Sequence, residues 1–273
     1  MMESSEWSGR VGDVWAQEWQ RTDRSFVPID TALVEAAAAS VAGIAAPQIV
    51  DVGCGAGTTS LSLAGRLPGA AITGVDLSQA LIDVARSRVP PSINCRFEQG
   101  DASRWTGESN VDLLVSRHGV MFFADPVAAF THLRTLVRPG GALVFSCFRA
   151  ASQNVWASGL AHLMPKSSGD PYAPGPFAFA DPDHVSKILE RAGWRVAGPQ
   201  SLDVDYVAGS GDDPEADAID YFRHIGPVAR ALRDLDAPDR ARLEEGLAAL
   251  VRQHRDGDQV KFPAAAWIWS ATA

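Results

Sequence analysis

Apolar positions along this chain change period several times, from the helical 3.6 to the short continuous runs of buried strands. The Ala-rich stretch from about Asp30 to Val41 has helical spacing and ends near Pro47, after which Gln48-Ile-Val-Asp-Val52 reads as a short buried strand. Thr58 to Leu67 is helical again and stops at Pro68-Gly69; Ala71-Ile-Thr-Gly-Val75 is a second strand closing on Asp76. Ser78 is a good N-cap for a helix from Gln79 to Arg88, which Pro90-Pro91 closes. A third strand falls around Asn94 to Glu98 and a fourth over Val111 to Val115. Pro126 opens a helix at its first turn, and Arg138-Pro-Gly-Gly141 turns the chain into a strand from Ala142 to Phe148. Strands alternating with helices in this way imply βαβ units and a parallel sheet, and strands this apolar imply helices on both of its faces.

The alternation weakens after residue 150. Residues 151 to 180 are rich in Pro, Gly, Ser and Ala, the composition of a loop-containing cover. Asp181-Pro182 restarts a helix that ends at Gly193, and Trp194-Arg-Val196 begins another strand. Residues 212 to 256 are mostly helical, and Ala264 to Thr272, with Trp267 and Trp269 alternating, forms a last strand.

The chain has 273 residues, 46% of them hydrophobic, enough for one sizeable α/β core with additions. Its net charge of −9 repels phosphate backbones, so nucleic acid is not the expected partner. Cys54, Cys95 and Cys147 are odd in number and widely spaced, which fits neither a disulfide framework nor a zinc site. No run of about 18 apolar residues is present and the N-terminus lacks the basic and apolar regions of a signal peptide. These features together give the expectation of a cytoplasmic protein without a membrane partner; oligomeric state is not legible.

The chemistry concentrates where the first strand ends. Asp51-Val-Gly-Cys-Gly-Ala-Gly57 is a glycine-rich turn between strand and helix, at the sheet edge where open α/β folds bind ligands. A dinucleotide fingerprint counted from Gly53 requires glycine where Thr58 stands, and no lysine follows as in a phosphate-binding loop. The loop thus lacks both phosphate-binding patterns, which is consistent with a ligand that has no phosphate.

Val50-Asp-Val-Gly-Cys-Gly-Ala-Gly57 resembles the first motif of class I S-adenosyl-L-methionine (SAM)-dependent methyltransferases. Four companions in order strengthen the resemblance: Gly74-Val-Asp-Leu-Ser78, Gln99-Gly-Asp-Ala102, Val111-Asp-Leu-Leu-Val-Ser116 and Arg138-Pro-Gly-Gly-Ala-Leu143. Together they cover roughly residues 48 to 148, and the chain is most similar to the ubiquinone-biosynthesis-type small-molecule enzymes. The resemblance implies a Rossmann-like, doubly wound, seven-stranded and mostly parallel sheet with an antiparallel last strand and a partly helical cover. It implies a cap segment over residues 1–30, a SAM-binding core over 31–148 and a cover loop over 149–180. The rest of the sheet follows over 181–273, with a helical insert at about 212–256. Its product beside the methylated acceptor is S-adenosyl-L-homocysteine (SAH).

By the same resemblance, Gly53 and Gly55 let the backbone pass under the methionine and ribose parts of SAM, and Asp51 orients its ammonium. Asp76 accepts both ribose hydroxyls, a role suited to a carboxylate's several lone pairs. Asp101 accepts from the adenine amine, the Ala102 N–H reaches the ring, Leu77 packs on the adenine face, and Ser116 faces the methionine end.

The acceptor side is less determined. His118 stands in Ser116-Arg-His-Gly-Val-Met-Phe-Phe123 where related enzymes often carry Phe. An imidazole there is a candidate general base for a hydroxyl, thiol or amine; the alternatives are packing against Phe122 and Phe123, orienting a water, or holding the acceptor. Arg117 is a candidate for the SAM carboxylate, an acidic acceptor or a plain ion pair. Trp15 and Trp19, four residues apart, stand on one helical face with Trp7 nearby, and form either an aromatic cap over the sulfonium or core packing. Tyr172, Phe177 and Phe179, with a helical stretch around Tyr221 to Arg233, are expected around the acceptor; His162, His184 and His224 are reserve bases. No spacing suggests a metal. A small-molecule methyltransferase is the first reading, a non-catalytic SAM-binding sensor the second, and a nicotinamide oxidoreductase the third, disfavoured by Thr58.

Overall fold

The computed structural model describes residues 7–165 and 169–273. Helices α1 (Arg10–Gln17) and α2 (Trp19–Ser40) precede strand β1 (Gln48–Val52). There follow α3 (Thr58–Arg66), β2 (Ala71–Asp76), α4 (Gln79–Ser87), β3 (Cys95–Gln99), β4 (Val111–Arg117), α5 (Pro126–Leu136) and β5 (Val137–Phe148). The second half adds α6 (Val155–Ser158), α7 (Pro182–Arg191), β6 (Arg195–Ser210), α8 (Pro214–His224), α9 (Gly226–Asp234), α10 (Ala237–Gln253), β7 (Arg255–Asp256) and β8 (Gln259–Thr272).

The sheet order is β3-β2-β1-β4-β5-β8-β6, with the two-residue β7 paired to β8. Strands β1 to β5 pair in parallel, and β8 runs antiparallel to both β5 and β6. This is the expected mostly parallel sheet with an antiparallel last strand, plus the short β7. Helix boundaries follow their caps. The Ser78 hydroxyl accepts from the Leu81 N–H, and the Asp125 carboxylate accepts from the Ala128 N–H just ahead of Pro126.

The first long helix departs from the sequence expectation. It starts at Trp19 rather than Asp30 and runs through Pro28, so the cap segment expected over residues 1–30 ends inside it. A proline in a helix interior costs about 3 kcal/mol. Phe26, Ile29 and Leu33 are buried on the same face, and each such side chain stabilises by roughly 1.5–3 kcal/mol, so burial outweighs the break. The helix does break at Glu18, which separates Trp15 and Trp19 onto two helices rather than one face.

Strands β6 and β8 are longer than the sheet they join. Leu202 and Phe148 both lie opposite Ala266, and there β5 ends. Beyond that register Asp203–Ser210 and Gln259–Ala265 continue as a two-stranded ribbon above the carboxyl ends of the parallel strands. Helix α2 grips this ribbon: Arg24 donates to the carbonyls of Val207 (3.3 Å) and Ala208 (2.5 Å) and to Asp217 on α8 (2.7 Å).

Asn154 anchors the start of the cover. Fully buried, it donates to the carbonyls of Ala150 (3.1 Å) and Ala265 (3.2 Å) and accepts from the Ala265 N–H (3.0 Å) and the Trp156 indole (3.3 Å). Orphaning buried partners costs about 1–3 kcal/mol. Asn154→Ala is expected to lower unfolding free energy by about 2–3 kcal/mol, read from the urea midpoint at unchanged slope; a midpoint shift under a third of that would remove the anchoring role.

Candidate active site

The loop after β1 turns back under the end of β2. The N–H groups of Gly53 and Cys54 both donate to the Val75 carbonyl, at 2.8 and 3.1 Å. Gly53 has φ +68° and a Cβ there would stand 3.0 Å from the Gly119 Cα, so two backbones touch with no side chain between them. Gly55 also has positive φ, +54°, but faces open space. The first glycine serves packing within the chain, and the second leaves room beside the loop.

That room is a cavity of about 430 Å³ at the carboxyl ends of β1, β2 and β4, within the roughly 300–1,000 Å³ typical of small-molecule sites. Asp51, Gly53, Gly55, Asp76, Leu77, Asp101 and Ala102 all line it, together with His118. Ser116 does not. Its fully buried hydroxyl donates to the Val52 carbonyl (2.6 Å) and accepts from the Gly119 N–H (3.2 Å), so it ties β1 to the loop after β4 instead of facing the cavity.

Each acidic wall residue has a different environment. The Asp76 carboxylate accepts from the Gly55 and Ser78 N–H groups, both at 2.9 Å, and keeps lone pairs to spare on each oxygen. Burial raises its pKa against those two donors. Asp101 is also a turn residue: one oxygen accepts from the Ser103 N–H and hydroxyl at 3.0 and 2.6 Å, and the other meets Arg104 at 3.1 Å. Asp51, at the end of β1, is the most enclosed. One oxygen accepts from Ser60 at 2.7 Å, while Oδ1 is buried without a partner. Burial pushes this carboxyl up to about 7, with the Ser60 hydroxyl and the Arg117 charge pulling the other way.

The stretch after β4 supplies the opposite wall. Arg117 donates to Asp23 at 3.0 Å, lies over the Phe26 ring, and holds Nη1 buried without a partner. Asp23 comes from α2 and also meets Arg88 at 3.2 Å and the Thr58 hydroxyl. His118 adopts φ +60°, an uncommon backbone for a residue with a Cβ and one that clusters at functional sites. Its Nδ1 faces the Ser146 hydroxyl at 2.8 Å, its ring packs on Phe148 and Phe26, and Nε2 is buried without a partner. Burial, with the Arg117 charge added, brings its pKa down to about 3, so the ring is neutral near pH 7.

Trp7, Trp15 and Trp19 roof the cavity, and Trp7 packs on Phe122. The face of Trp19 is taken by the Arg88 guanidinium, 4.0 Å from its centroid. Phe26, Phe148, Trp156 and Tyr206 form the inner wall with Phe222 and Ile225 from the late helices. Sequence reasoning missed the first four, although Leu202-Asp-Val-Asp-Tyr206 alternates with the period of a strand that presents Tyr206 inward.

Other candidates lie elsewhere. Phe179 packs into the core on Phe130 and Phe145, Phe177 stacks behind Trp156, and Tyr172 is exposed against His184 and Asp181. His162, His184 and His224 do not line the cavity. Burial raises the Cys54 thiol well above its ordinary value, which leaves it unreactive. Among the described residues, one group has the closeness needed for a metal: Glu18, Asp220 and His224. Arg21 already bridges Glu18 (3.0 Å) and Asp220 (2.7 Å), so the two carboxylates carry a cation of their own.

Residues 49–141 match the methyltransferase domain family. The trans-aconitate 2-methyltransferase of Escherichia coli is 37% identical over 95 residues, 35% of this chain and 36% of its own length. The chain thus spans about a third of the curated relatives it matches. Two solved structures share the fold. The YcgJ protein of Bacillus subtilis superposes with a TM-score of 0.53 at 16% identity, over 89% of this chain and 98% of that one. Phosphoethanolamine N-methyltransferase 2 of Haemonchus contortus, solved with S-adenosyl-L-methionine, gives 0.56 at 14% identity, over 100% and 60%. In addition, no helix among the described residues is long and apolar enough to cross a membrane.

The raised Asp51 carboxyl has a consequence for stability. The unfolded carboxyl loses its proton near pH 4 while the folded one holds it to about 7, so this group destabilises the fold progressively as pH rises across that interval. His118 acts in the opposite sense: its folded-state stabilisation is complete above about pH 6.5 and is lost as pH falls toward 3. Asp51→Asn removes only the first effect. Its melting temperature relative to the wild type is expected to climb between pH 4 and 7 and then level off; a difference that is flat with pH would show that Asp51 titrates normally.

Proposed function

We propose, from the methyltransferase domain that residues 49–141 form, that this chain is a class I SAM-dependent methyltransferase acting on a small-molecule acceptor. The observation that carries the reading is a pair of buried, unpartnered atoms of opposite character on two residues that line the cavity, Asp51 Oδ1 and Arg117 Nη1. An amino-acid zwitterion satisfies both, its ammonium at the carboxylate and its carboxylate at the guanidinium. Buried polar groups left without partners are costly, and a ligand that pairs two at once gains accordingly. Asp76, which shares the Gly55 loop, then takes the ribose hydroxyls. Asp101 and the Ala102 N–H take the adenine edge, and Leu77 takes its face. The acidic surroundings also favour a cationic donor over NAD or any phosphate.

Bound SAM supplies a methyl group already activated on a sulfonium, so the protein has to align the acceptor and accept its proton. In this reading His118 takes that proton; its support is a neutral imidazole in the cavity lining, held by Ser146, with Nε2 unpartnered. Protonating it is disfavoured while a cation lies beside it. Methyl transfer removes the donor's positive charge as the imidazole gains one, so the net charge of the cavity stays constant. Arg117 and Asp51 hold the donor end, while Trp7 and Trp15 exclude water from above.

Calorimetric titration with SAM tests the reading. Because the ammonium prefers an ionised Asp51, affinity is expected to rise with pH through about 7, with fractional proton release at pH 7 seen as a buffer-dependent enthalpy. Asp51→Asn should flatten that profile, and Asp76→Ala should weaken binding about tenfold to a hundredfold, the worth of hydrogen bonds to a charged group. Wild-type affinity in both variants would refute the donor site. Transfer of label from SAM to a metabolite separates an enzyme from a silent binding protein, and His118→Asn is expected to lower turnover at least tenfold with SAM affinity kept.

A further inference from the structure

Four unpartnered polar atoms lie on residues of the cavity wall: Trp7 Nε1, Asp51 Oδ1, Arg117 Nη1 and His118 Nε2. Two of them fit the ends of an amino acid. The Trp7 ring packs on Trp15 and Phe122, while its carbonyl and the Ser78 side chain crowd the same face of Gly12. Of the remaining two, the indole N–H only donates, so His118 Nε2 is the one that can take a proton from an acceptor. Tyr206 adds nothing to that inventory, because its hydroxyl is 3.0 Å from the Tyr221 hydroxyl.

The wall around His118 is otherwise aromatic. Its ring lies 4.2 Å from Phe148 and 5.1 Å from Phe26; Phe148 continues to Trp156 at 5.0 Å, and Trp156 stacks on Tyr206 at 5.3 Å and 17°. The charges on the wall are lopsided. Among the described residues, Asp23, Asp51, Asp76, Asp101 and Asp125 face a single guanidinium, Arg117, which Asp23 already engages. A polyanionic acceptor finds repulsion there and, among the described residues, no cation beyond the guanidinium that takes the SAM carboxylate. The 37%-identical relative is a trans-aconitate methyltransferase, but the match covers only 35% of this chain. The family match itself ends at residue 141, before Phe148, Trp156 and Tyr206.

We infer, resting on the methyltransferase reading, that the acceptor is an uncharged, flat aromatic molecule bearing one phenolic or enolic hydroxyl. It seats on the wall of Phe26, Phe148, Trp156 and Tyr206 with that hydroxyl at His118 Nε2. In the transfer the carbon–sulfur bond breaks and its electron pair stays on sulfur. An oxygen–carbon bond forms, and the hydroxyl proton passes to His118 and from there to solvent as product leaves. The weak basicity of a buried imidazole selects an acidic hydroxyl over an aliphatic one.

The test has two stages. SAH is first titrated onto the protein; absence of binding overturns the methyltransferase reading itself. The SAH-saturated protein then receives 2-naphthol or trans-aconitate separately, and parallel incubations with SAM are read by mass spectrometry for the methyl ether or ester. Expected are saturable 2-naphthol binding and its methyl ether, with neither result for trans-aconitate. Trp156→Leu should weaken 2-naphthol about tenfold while leaving SAH affinity within about twofold. Pro176→Glu places a carboxylate at a partly exposed point of the same cavity, where folding is not at stake, and should abolish 2-naphthol binding. Given SAH binding in the first stage, methylation of trans-aconitate in the SAM incubation, or no 2-naphthol binding at millimolar concentration, would overturn the inference.

Discussion

The two halves of the site meet at the backbone contact between Gly53 and Gly119, and the rest of the geometry depends on it. The Ser116 hydroxyl fastens this contact by bridging the Val52 carbonyl and the Gly119 N–H across the gap between β1 and β4. A Cβ at Gly119 would stand 2.7 Å from the Val52 carbonyl oxygen, so no side chain fits without parting the loops. Because of this closeness the Asp51 carboxylate near the end of β1 and the Arg117–His118 pair at the end of β4 face one cavity. A wider gap would make two separate clefts.

A second constraint comes from α2, which straps the glycine-loop side of the cavity to the ribbon. Asp23 gathers Thr58, Arg88 and Arg117, and further along the helix Asp30 accepts from Thr59 at 2.5 Å and Ser62 at 2.9 Å. On the other side Arg24 holds the ribbon carbonyls and Asp217. The helix therefore does more than cover the sheet. It sets the distance between the glycine loop and the Tyr206 wall, and it carries Phe26 into that wall.

The parallel half of the fold is legible in the sequence because its signals are local. Continuous apolar strands, Ser78 and Asp125 as caps and glycines at sharp turns each act within a few residues. Asp51, Asp76, Asp101 and their neighbours are placed by motif spacing, and all reach the cavity. Ser116 escapes such a reading because its neighbour in space is the Val52 carbonyl, 64 positions away in the chain. The start of α2 is hidden by Pro28, whose local cost is offset by burial that only the tertiary fold provides. The inner wall is hidden for a similar reason. Phe26, Phe148, Trp156 and Tyr206 come from four elements, brought together by the overshoot of β6 and β8 past β5.

That overshoot also divides the labour of the molecule. The ribbon and the helices packed on it stand above the last row of hydrogen bonds that β8 shares with β5, so side chains there can be exchanged without disturbing the register beneath. The ribbon's inward row brings Tyr206 to the cavity, while the glycine loop and its carboxylates are fixed by β1 and β2. Such a layout lets the inner wall of the cavity change through folded intermediates that each keep the glycine-loop half intact.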